Sequence, residues 1–198
     1  MRTEIFGTKI RADFLFAALI FVMLWFDKRG ISSMTLSAVF MHEAGHYAAL
    51  ALQKRRPKEL YFTIFSLKMG TTRQFKGYFR DIIVSMSGPV VNLIAFTLIY
   101  LFGNPMDEKQ LLFGIVNLVT GGFNLLPAGS LDGGQALNSF LCLYMSECKA
   151  QTLSFIISLA FIVPLGIAGL CVLLQSGHNI TLLLICGYLT LSLFVKSV

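Results

Sequence analysis

The longest uncharged stretch of this chain runs from Ala150 to Val195 and contains no Asp, Glu, Lys or Arg. A helix needs about 20 apolar residues to cross the hydrocarbon core of a bilayer, so this stretch can supply two such helices. The polar sequence QSGHN, residues 175–179, predicts the turn between them. The composition agrees, since 56% of the residues are hydrophobic, 13% are charged and the mean hydropathy is +0.73. These values are not those of an ordinary soluble domain, and they predict an integral membrane protein.

Apolar runs with charged or turn-rich borders predict about six membrane spans. The runs lie at about residues 11–26, 31–52, 82–102, 111–127, 153–174 and 179–195. Pro127 and Gly129 follow the fourth run, which predicts a helix that breaks within the membrane. We therefore predict an all-α polytopic membrane protein that forms a single domain over residues 1–198.

The positions of the basic residues predict the orientation of the chain. With the N-terminus in the cytoplasm, all but Lys28, Arg29 and Lys109 of the 16 Lys and Arg residues fall on the inner side. Because cytoplasmic loops of membrane proteins are enriched in Lys and Arg, we expect both termini to be cytoplasmic. Topology and contact with anionic lipid also account for the net charge of +6, so no nucleic-acid partner is expected.

The segment KELYFTIFSLKM, residues 58–69, is rich in aromatic and β-branched residues. It is too short to span a membrane as a helix. It predicts a small membrane-associated β element near 59–69, at the cytoplasmic face. An interfacial loop that is anchored by its aromatic side chains is the alternative.

The sequence FMHEAGHYAAL, residues 40–50, places one carboxylate and two imidazoles in an apolar run. His42 and His46 are four residues apart, so on a helix they share one face and can bind a single ion. Glu43 directly follows the first histidine, which lets its carboxylate reach a metal-bound water. Zinc lowers the pKa of such a water to about 7, which is hydrolytic chemistry. A carboxylate within the bilayer costs about 2.5–3.5 kcal/mol on insertion scales, and such residues are usually functional.

A catalytic zinc ion usually has three protein ligands, so a third ligand is expected elsewhere in the chain. The carboxylates available are those of Glu59, Asp81, Asp107, Glu108, Asp132 and Glu147. Asp132 is the best of them, because it follows a span that runs in the same direction as the HEAGH span and should lie at a similar depth. Its surroundings, NLLPAGSLDGG, contain Pro127 and an amide at Asn124. His178 lies in a turn predicted at the opposite face, which argues against it.

HEAGH in the second span and FNLLPAGSLDGG after the fourth resemble the signatures of the site-2 protease family of intramembrane zinc metalloproteases. SGPVVN, residues 87–92, resembles a third signature of that family. The resemblance covers about residues 31–140 and implies that they form the catalytic core, with additional helices at 11–26, 153–174 and 179–195. The resemblance implies that zinc is bound by three side chains, those of His42, His46 and Asp132. It further implies that Glu43 is the general base, that Asn124 holds the substrate backbone or the oxyanion, and that Asn92 supports the site.

Within that family, HExxH on the second span and the lack of a PDZ domain resemble the branch that contains stage IV sporulation protein FB. Members of the branch often carry a pair of CBS domains. The sequence ends two residues after Lys196, so no CBS domain is expected. Family members commonly have proline where this chain has Ser130, which affects the rigidity of the turn more than the identity of the ligand.

The resemblance implies regulated proteolysis of a membrane-protein substrate in the lipid bilayer of a bacterial cytoplasmic membrane. It associates the chain with sporulation through the name of the branch alone, and whether the chain acts in sporulation stays open. Inhibitory or activating membrane partners are also implied. Two other classes of function stay open. A metal or proton transporter would use the same ligands as a pathway site, without needing Glu43 as a base. An inactive, protease-like binding protein would retain membrane segments without cutting them.

Overall fold

The computed structural model describes residues 2–5, 8–12, 14–27, 29–54, 59–62, 67–70, 77–104, 106–129 and 131–197. These residues form seven helices and four short strands. The helices are α1 (Phe14–Trp25), α2 (Ile31–Leu52), α3 (Tyr78–Phe102), α4 (Glu108–Asn124), α5 (Asp132–Leu141), α6 (Glu147–Ser176) and α7 (Thr181–Ser197). The strands are β1 (Arg2–Ile5), β2 (Thr8–Ala12), β3 (Glu59–Phe62) and β4 (Leu67–Gly70).

The four strands form one sheet in the order β1-β2-β3-β4. β2 pairs with β3 in parallel, whereas β1–β2 and β3–β4 are antiparallel pairs. β3 and β4 fall in the segment for which the sequence predicts a β element, and residues 63–66 between them lie outside the described residues. β1 and β2 were not predicted. The sequence of β2, TKIRA, alternates charged with uncharged residues, and this two-residue period is the signal that could have identified it.

Two helices in the described part of the chain, α3 and α6, are long and apolar enough to cross a membrane. α7 contains a shorter apolar helix, Thr181–Phe194. Together with the mean hydropathy of +0.73, these helices indicate a membrane protein. The six-span arrangement and the cytoplasmic termini stay predictions. Six of the basic residues behind that orientation lie outside the described residues, namely Lys28, Arg55, Arg56, Lys58, Arg73 and Lys76.

The region after the fourth predicted span differs from the expectation. α4 ends at Asn124, before Pro127, and a turn leads into α5, which begins at Asp132. The sequence analysis predicted the break but no helix after it. α5 is only 10 residues long and starts with Asp-Gly-Gly, so neither its length nor its composition suggests a helix.

The chain divides into two compact units. The first comprises Met1–Lys76 with Ser87–Gly121, and the second comprises Gly77–Met86 with Gly122–Val198. In the first unit, α2 buries a stripe of residues with helical spacing, which are Ala38, His42, Gly45, His46, Ala49 and Leu50. In the second unit, Ala128 packs with Ile162 of α6 and with Leu189 and Leu193 of α7.

Candidate metal centre

The two histidines of HEAGH lie on the buried stripe of α2, where they are only 5% and 8% exposed. The opposite face of α2 carries apolar side chains such as Phe40, which is 75% exposed. The Nε2 atoms of His42 and His46 are 3.1 Å apart. Two nitrogen ligands at 2.0–2.1 Å from one tetrahedral ion would be about 3.3 Å apart. The two imidazoles therefore have the spacing that a shared metal ion requires.

The carboxylate of Asp132 completes a group of three potential ligands. One ligand atom from each of His42, His46 and Asp132 lies within 4.8 Å of the others. Asp132 is half-buried and is the first residue of α5. Two imidazoles and one carboxylate are a donor set that zinc uses in catalytic sites. Among the described residues, no other carboxylate that the sequence analysis considered belongs to a group of this kind.

Gly88 of α3 lies directly against both imidazoles. A Cβ atom at this position would come within 2.8 Å of His42 Nε2 and 2.7 Å of His46 Cε1, with His46 Nε2 closer still. Real Cβ atoms essentially never have neighbours below 3.0 Å, so no residue with a side chain fits here. This contact gives a physical reason for the glycine of the SGPVVN segment. A Cβ atom here would crowd the Nε2 atoms of both histidines at once.

Asn92, four residues further along α3, is completely buried and contacts the other ring nitrogen of His42. Its Oδ1 is 2.8 Å from His42 Nδ1, and its Nδ2 donates to the backbone carbonyl of Ala38 at 3.0 Å. Ser87 Oγ lies 3.4 Å from His46 Nδ1. Both histidines thus have a polar neighbour at Nδ1 while their Nε2 atoms face each other. This arrangement orients the rings as metal-binding histidines are oriented in other proteins.

The turn between α4 and α5 holds the start of α5 through backbone contacts. Leu131 N donates to Ala128 O at 2.8 Å, and Gln135 N donates to Leu131 O at 3.0 Å. Ala128 is 2% exposed and anchors the turn in the apolar cluster of the second unit. A cavity of 340 Å³ in this unit is lined by Gly129, Gly134 and polar side chains of α5 and α6.

The chain is similar in sequence to proteins that are named as zinc metalloproteases. No protein-family model matches the chain. A zinc metalloprotease of Methanocaldococcus jannaschii is 28% identical over 144 residues, which cover 69% of this chain and 38% of the relative. A Synechocystis protein that is likewise named as a zinc metalloprotease is 26% identical over 114 residues, which cover 54% of this chain and 30% of the relative. The chain thus spans about a third of the length of these two relatives.

The structural comparison extends over the whole chain. The site-2 protease of Methanocaldococcus jannaschii superposes with a TM-score of 0.68, covering 100% of this chain and 95% of that one, at 20% sequence identity. The chain has the site-2 protease fold. In this fold, the His42, His46 and Asp132 group combines residues from α2 and from the start of α5.

The other predicted site residues have these positions. Glu43 lies on α2 and is half-buried, and Asn124 is the last residue of α4 and is also half-buried. Their catalytic and substrate-binding roles stay predictions. The sequence analysis missed Asn117 of α4, which is completely buried and accepts a hydrogen bond from Asn92. An uncharged polar residue inside an apolar span is the signal that could have identified it.

Proposed function

We propose that this chain is a zinc metalloprotease of the site-2 type. It would cleave peptide bonds within or next to the membrane-spanning segments of other proteins. The observation that carries the proposal is the group of His42, His46 and Asp132 within the HEAGH and LDGG motifs. The site-2 protease fold and the two relatives named as zinc metalloproteases support it.

The donor set favours zinc as the ion. His42 and His46 offer Nε2 atoms 3.1 Å apart, and Asp132 offers a carboxylate oxygen within 4.8 Å of them. When zinc is bound by three such ligands, a fourth position stays open for a water whose pKa falls to about 7. The two buried imidazoles and the half-buried carboxylate would hold this ion away from bulk solvent.

Glu43 is proposed to move the proton of the hydrolytic reaction. It follows His42 directly, so on α2 its side chain leaves the helix next to the ligand without taking its place. Its carboxylate would accept a proton from the attacking water and later deliver it to the leaving amine. Asn124 would donate an amide N–H to the substrate backbone or to the oxyanion, and Asn92 would support His42 from behind.

The substrate would be a membrane segment in extended conformation. A helix engages its own carbonyl groups in hydrogen bonds, so the segment must unwind before a carbonyl can be attacked. In the described part of the sheet, β4 is a terminal strand, and its free edge could pair with such an extended segment. Residues of low helix propensity near the cleaved bond would favour cleavage.

The finer predictions of location and branch complete the proposal. The chain would cross the membrane six times, with both termini in the cytoplasm and the site in the cytoplasmic half, so the products would be released on that side. HExxH on the second helix favours the branch that contains stage IV sporulation protein FB. The membrane would then be a bacterial cytoplasmic membrane, and membrane partners would regulate the enzyme.

The decisive experiment combines metal content with cleavage. The full-length protein would be co-expressed with a panel of tagged single-span membrane proteins that carry helix-destabilising residues in the span. We expect Glu43→Gln to lower cleavage by about 10²–10⁴-fold, the usual contribution of general acid–base catalysis, while retaining about one zinc per chain. His46→Ala and Asp132→Ala should lose both zinc and cleavage.

The control variant is Glu108→Gln, which neutralises an exposed carboxylate in the first turn of α4 and should cleave like the parent protein. Undiminished cleavage by Glu43→Gln would remove Glu43 from the mechanism. A parent protein that binds zinc and conducts ions in proteoliposomes, but cleaves no member of the panel, would favour the transporter.

A further inference from the structure

A chain of buried hydrogen bonds connects α4 to the metal-binding face of α2. Asn117 Nδ2 donates to the carbonyl of Phe113 at 2.9 Å, and Asn117 Oδ1 accepts from Asn92 Nδ2 at 3.0 Å. Asn92 Nδ2 also donates to the carbonyl of Ala38, and Asn92 Oδ1 lies 2.8 Å from His42 Nδ1. Both asparagines are 0% exposed, so these bonds have no competition from water.

The donor and the acceptor of each hydrogen bond in this series follow from the two backbone carbonyls that the asparagines contact, those of Phe113 and Ala38. A backbone carbonyl only accepts, so the group of Asn117 that faces Phe113 must be its NH₂. Asn117 Oδ1 then faces Asn92 and requires a donor there. The carbonyl of Ala38 requires a second donor from the same Asn92 group. Asn92 therefore presents NH₂ to these two acceptors, and only its Oδ1 is left to face His42.

The orientation of Asn92 decides which nitrogen of His42 carries the proton. Because Asn92 Oδ1 only accepts, His42 Nδ1 must donate and hence must be protonated. A neutral imidazole with a proton on Nδ1 has its lone pair on Nε2, the atom that lies 3.1 Å from His46 Nε2. A rotated Asn92 amide would place its oxygen against two acceptors and its NH₂ against His42 Nδ1. The proton would then move to Nε2 and block metal binding.

We propose that Asn117 is a positioning residue that sets the ring tautomer of His42 through Asn92. It contacts neither histidine in the bonds described, and it acts by fixing which way the Asn92 amide points. The inference depends on the proposed function in one respect, which is that His42 Nε2 is taken to be a metal ligand. The tautomer itself can be measured without metal and without substrate.

The test uses ring-¹⁵N-labelled histidine in full-length, detergent-purified protein stripped of metal. The chain has only 3 histidines, so His178→Gln leaves the rings of His42 and His46 alone in the spectrum. In this background we expect His42 to show the Nδ1–H tautomer. Asn117→Leu keeps a similar volume but removes the acceptor, and it should give a mixture of both tautomers. Its zinc affinity should fall about 10–100-fold, as for other losses of a ligand's outer partner.

A rescue variant separates tautomer control from a general structural effect. In the double variant with Asn92→Asp and Asn117→Leu, a carboxylate faces His42 whichever way it is rotated. It should restore the Nδ1–H tautomer and part of the zinc affinity. Thr190→Val is the matched control, because it removes another side-chain hydrogen bond to a carbonyl four residues earlier, that of Cys186, and should change neither readout.

The outcomes distinguish this inference from the proposed function. An unchanged single tautomer and unchanged zinc affinity in a folded Asn117→Leu protein would overturn the inference, whether or not the parent cleaves membrane proteins. A mixed tautomer in a protein that cleaves nothing would support the inference and reject the protease. If Asn117→Leu does not fold, the parent spectrum decides, since an Nε2–H ring at His42 contradicts the proposed chain of bonds.

Discussion

The two candidate histidine ligands and the candidate aspartate ligand, Asp132, are positioned by different kinds of contact. In the first unit, His42 lies against a polar chain made of Asn92 and Asn117, both completely buried. In the second unit, the segment that carries Asp132 is shaped by backbone hydrogen bonds of the turn and by glycines packed on backbone carbonyls. The imidazoles therefore have polar side chains next to them, whereas the segment that carries Asp132 is shaped by contacts of the backbone.

This difference follows from what each ligand needs. An imidazole has two distinct nitrogens, so a site must fix both the ring direction and the position of its proton. A carboxylate has two equivalent oxygens and needs only to be carried to the right place. A regular helix with polar neighbours suits the first task, and a tight turn at a helix start suits the second. Substitutions in the two regions should consequently affect different properties: zinc binding on the histidine side, and stability first on the aspartate side.

The largest expected effect is that of Gly88→Ala on the histidine side. The added methyl group would lie within 2.8 Å of His42 Nε2 and 2.7 Å of His46 Cε1, where a bound ion is expected. We expect zinc to fall from about one per chain to near zero in elemental mass spectrometry. Gly166→Ala on α6 is the control, because a Cβ there meets nothing within 4 Å. Full zinc content in Gly88→Ala would mean that the imidazoles do not face α3 as described.

A smaller effect is expected from Gly133→Ala on the aspartate side. Its Cβ would lie 2.6 Å from the carbonyl oxygen of Leu126, and closer to that of Leu125, and backbone cannot rotate away as a side chain can. We expect a loss of stability of about 1–3 kcal/mol in thermal unfolding, together with reduced zinc content.

The tautomer of His42 should not change in Gly133→Ala, because the hydrogen bonds that connect His42 to Asn92 and Asn117 lie in the first unit. Gly187→Ala on α7, where a Cβ meets nothing within 4 Å, is the matched control. A shifted tautomer in Gly133→Ala would show that the backbone near Asp132 also affects His42, which contradicts the difference described between the two regions.

The smallest effect is expected from Asp27→Asn, outside both regions. Desolvation is the largest single influence on Asp27 and raises its pKa, but backbone hydrogen bonds from Ser33, Ser32, Ile31 and Gly30 together outweigh it and hold the pKa below its usual value. One of these bonds, from Ser33 N, measures 3.0 Å. A carboxylate with a lowered pKa stabilises the folded chain above its unfolded-state pKa of about 3.9.

That stabilisation is lost as the pH falls through the lower, folded-state pKa, so the parent should lose stability on acidification. Asp27→Asn cannot be protonated at this position, so its stability should fall less on acidification than that of the parent. Thermal unfolding of both proteins between about pH 3 and pH 6 measures the difference in stability. Zinc content at neutral pH should equal that of the parent. A lower zinc content would show that the start of α2 is coupled to its metal-binding face.

The candidate ligands could be identified in the sequence because their signals are local. His42, Glu43 and His46 lie within one helical turn and a half, and the polar set stands out in an apolar run. Asp132 is far away in the chain, and it was selected by its depth and by the helix-breaking residues around it. The structure groups it with the two histidines.

The parts that the sequence analysis missed depend on partners distant in sequence. Asn117 is one polar residue among many, and its contact with Asn92 requires α3 and α4 to be packed side by side. α5 has a weak helical sequence and forms where its Gly134 and Ala136 can be buried. β1 and β2 depend on pairing, since β2 joins β3 from a region some 50 residues later.

The sequence by itself determined an apolar, membrane-type chain and the identity of three potential metal ligands, because hydropathy and short-range spacing depend only on neighbouring residues. Tertiary structure decided how those ligands are held. Whether Gly88 must lack a side chain, and which nitrogen of His42 carries its proton, depends on the approach of α3 and α4 to α2. These contacts form only when the helices pack, because the two hydrogen bonds join residues that are 50 and 25 positions apart in the sequence.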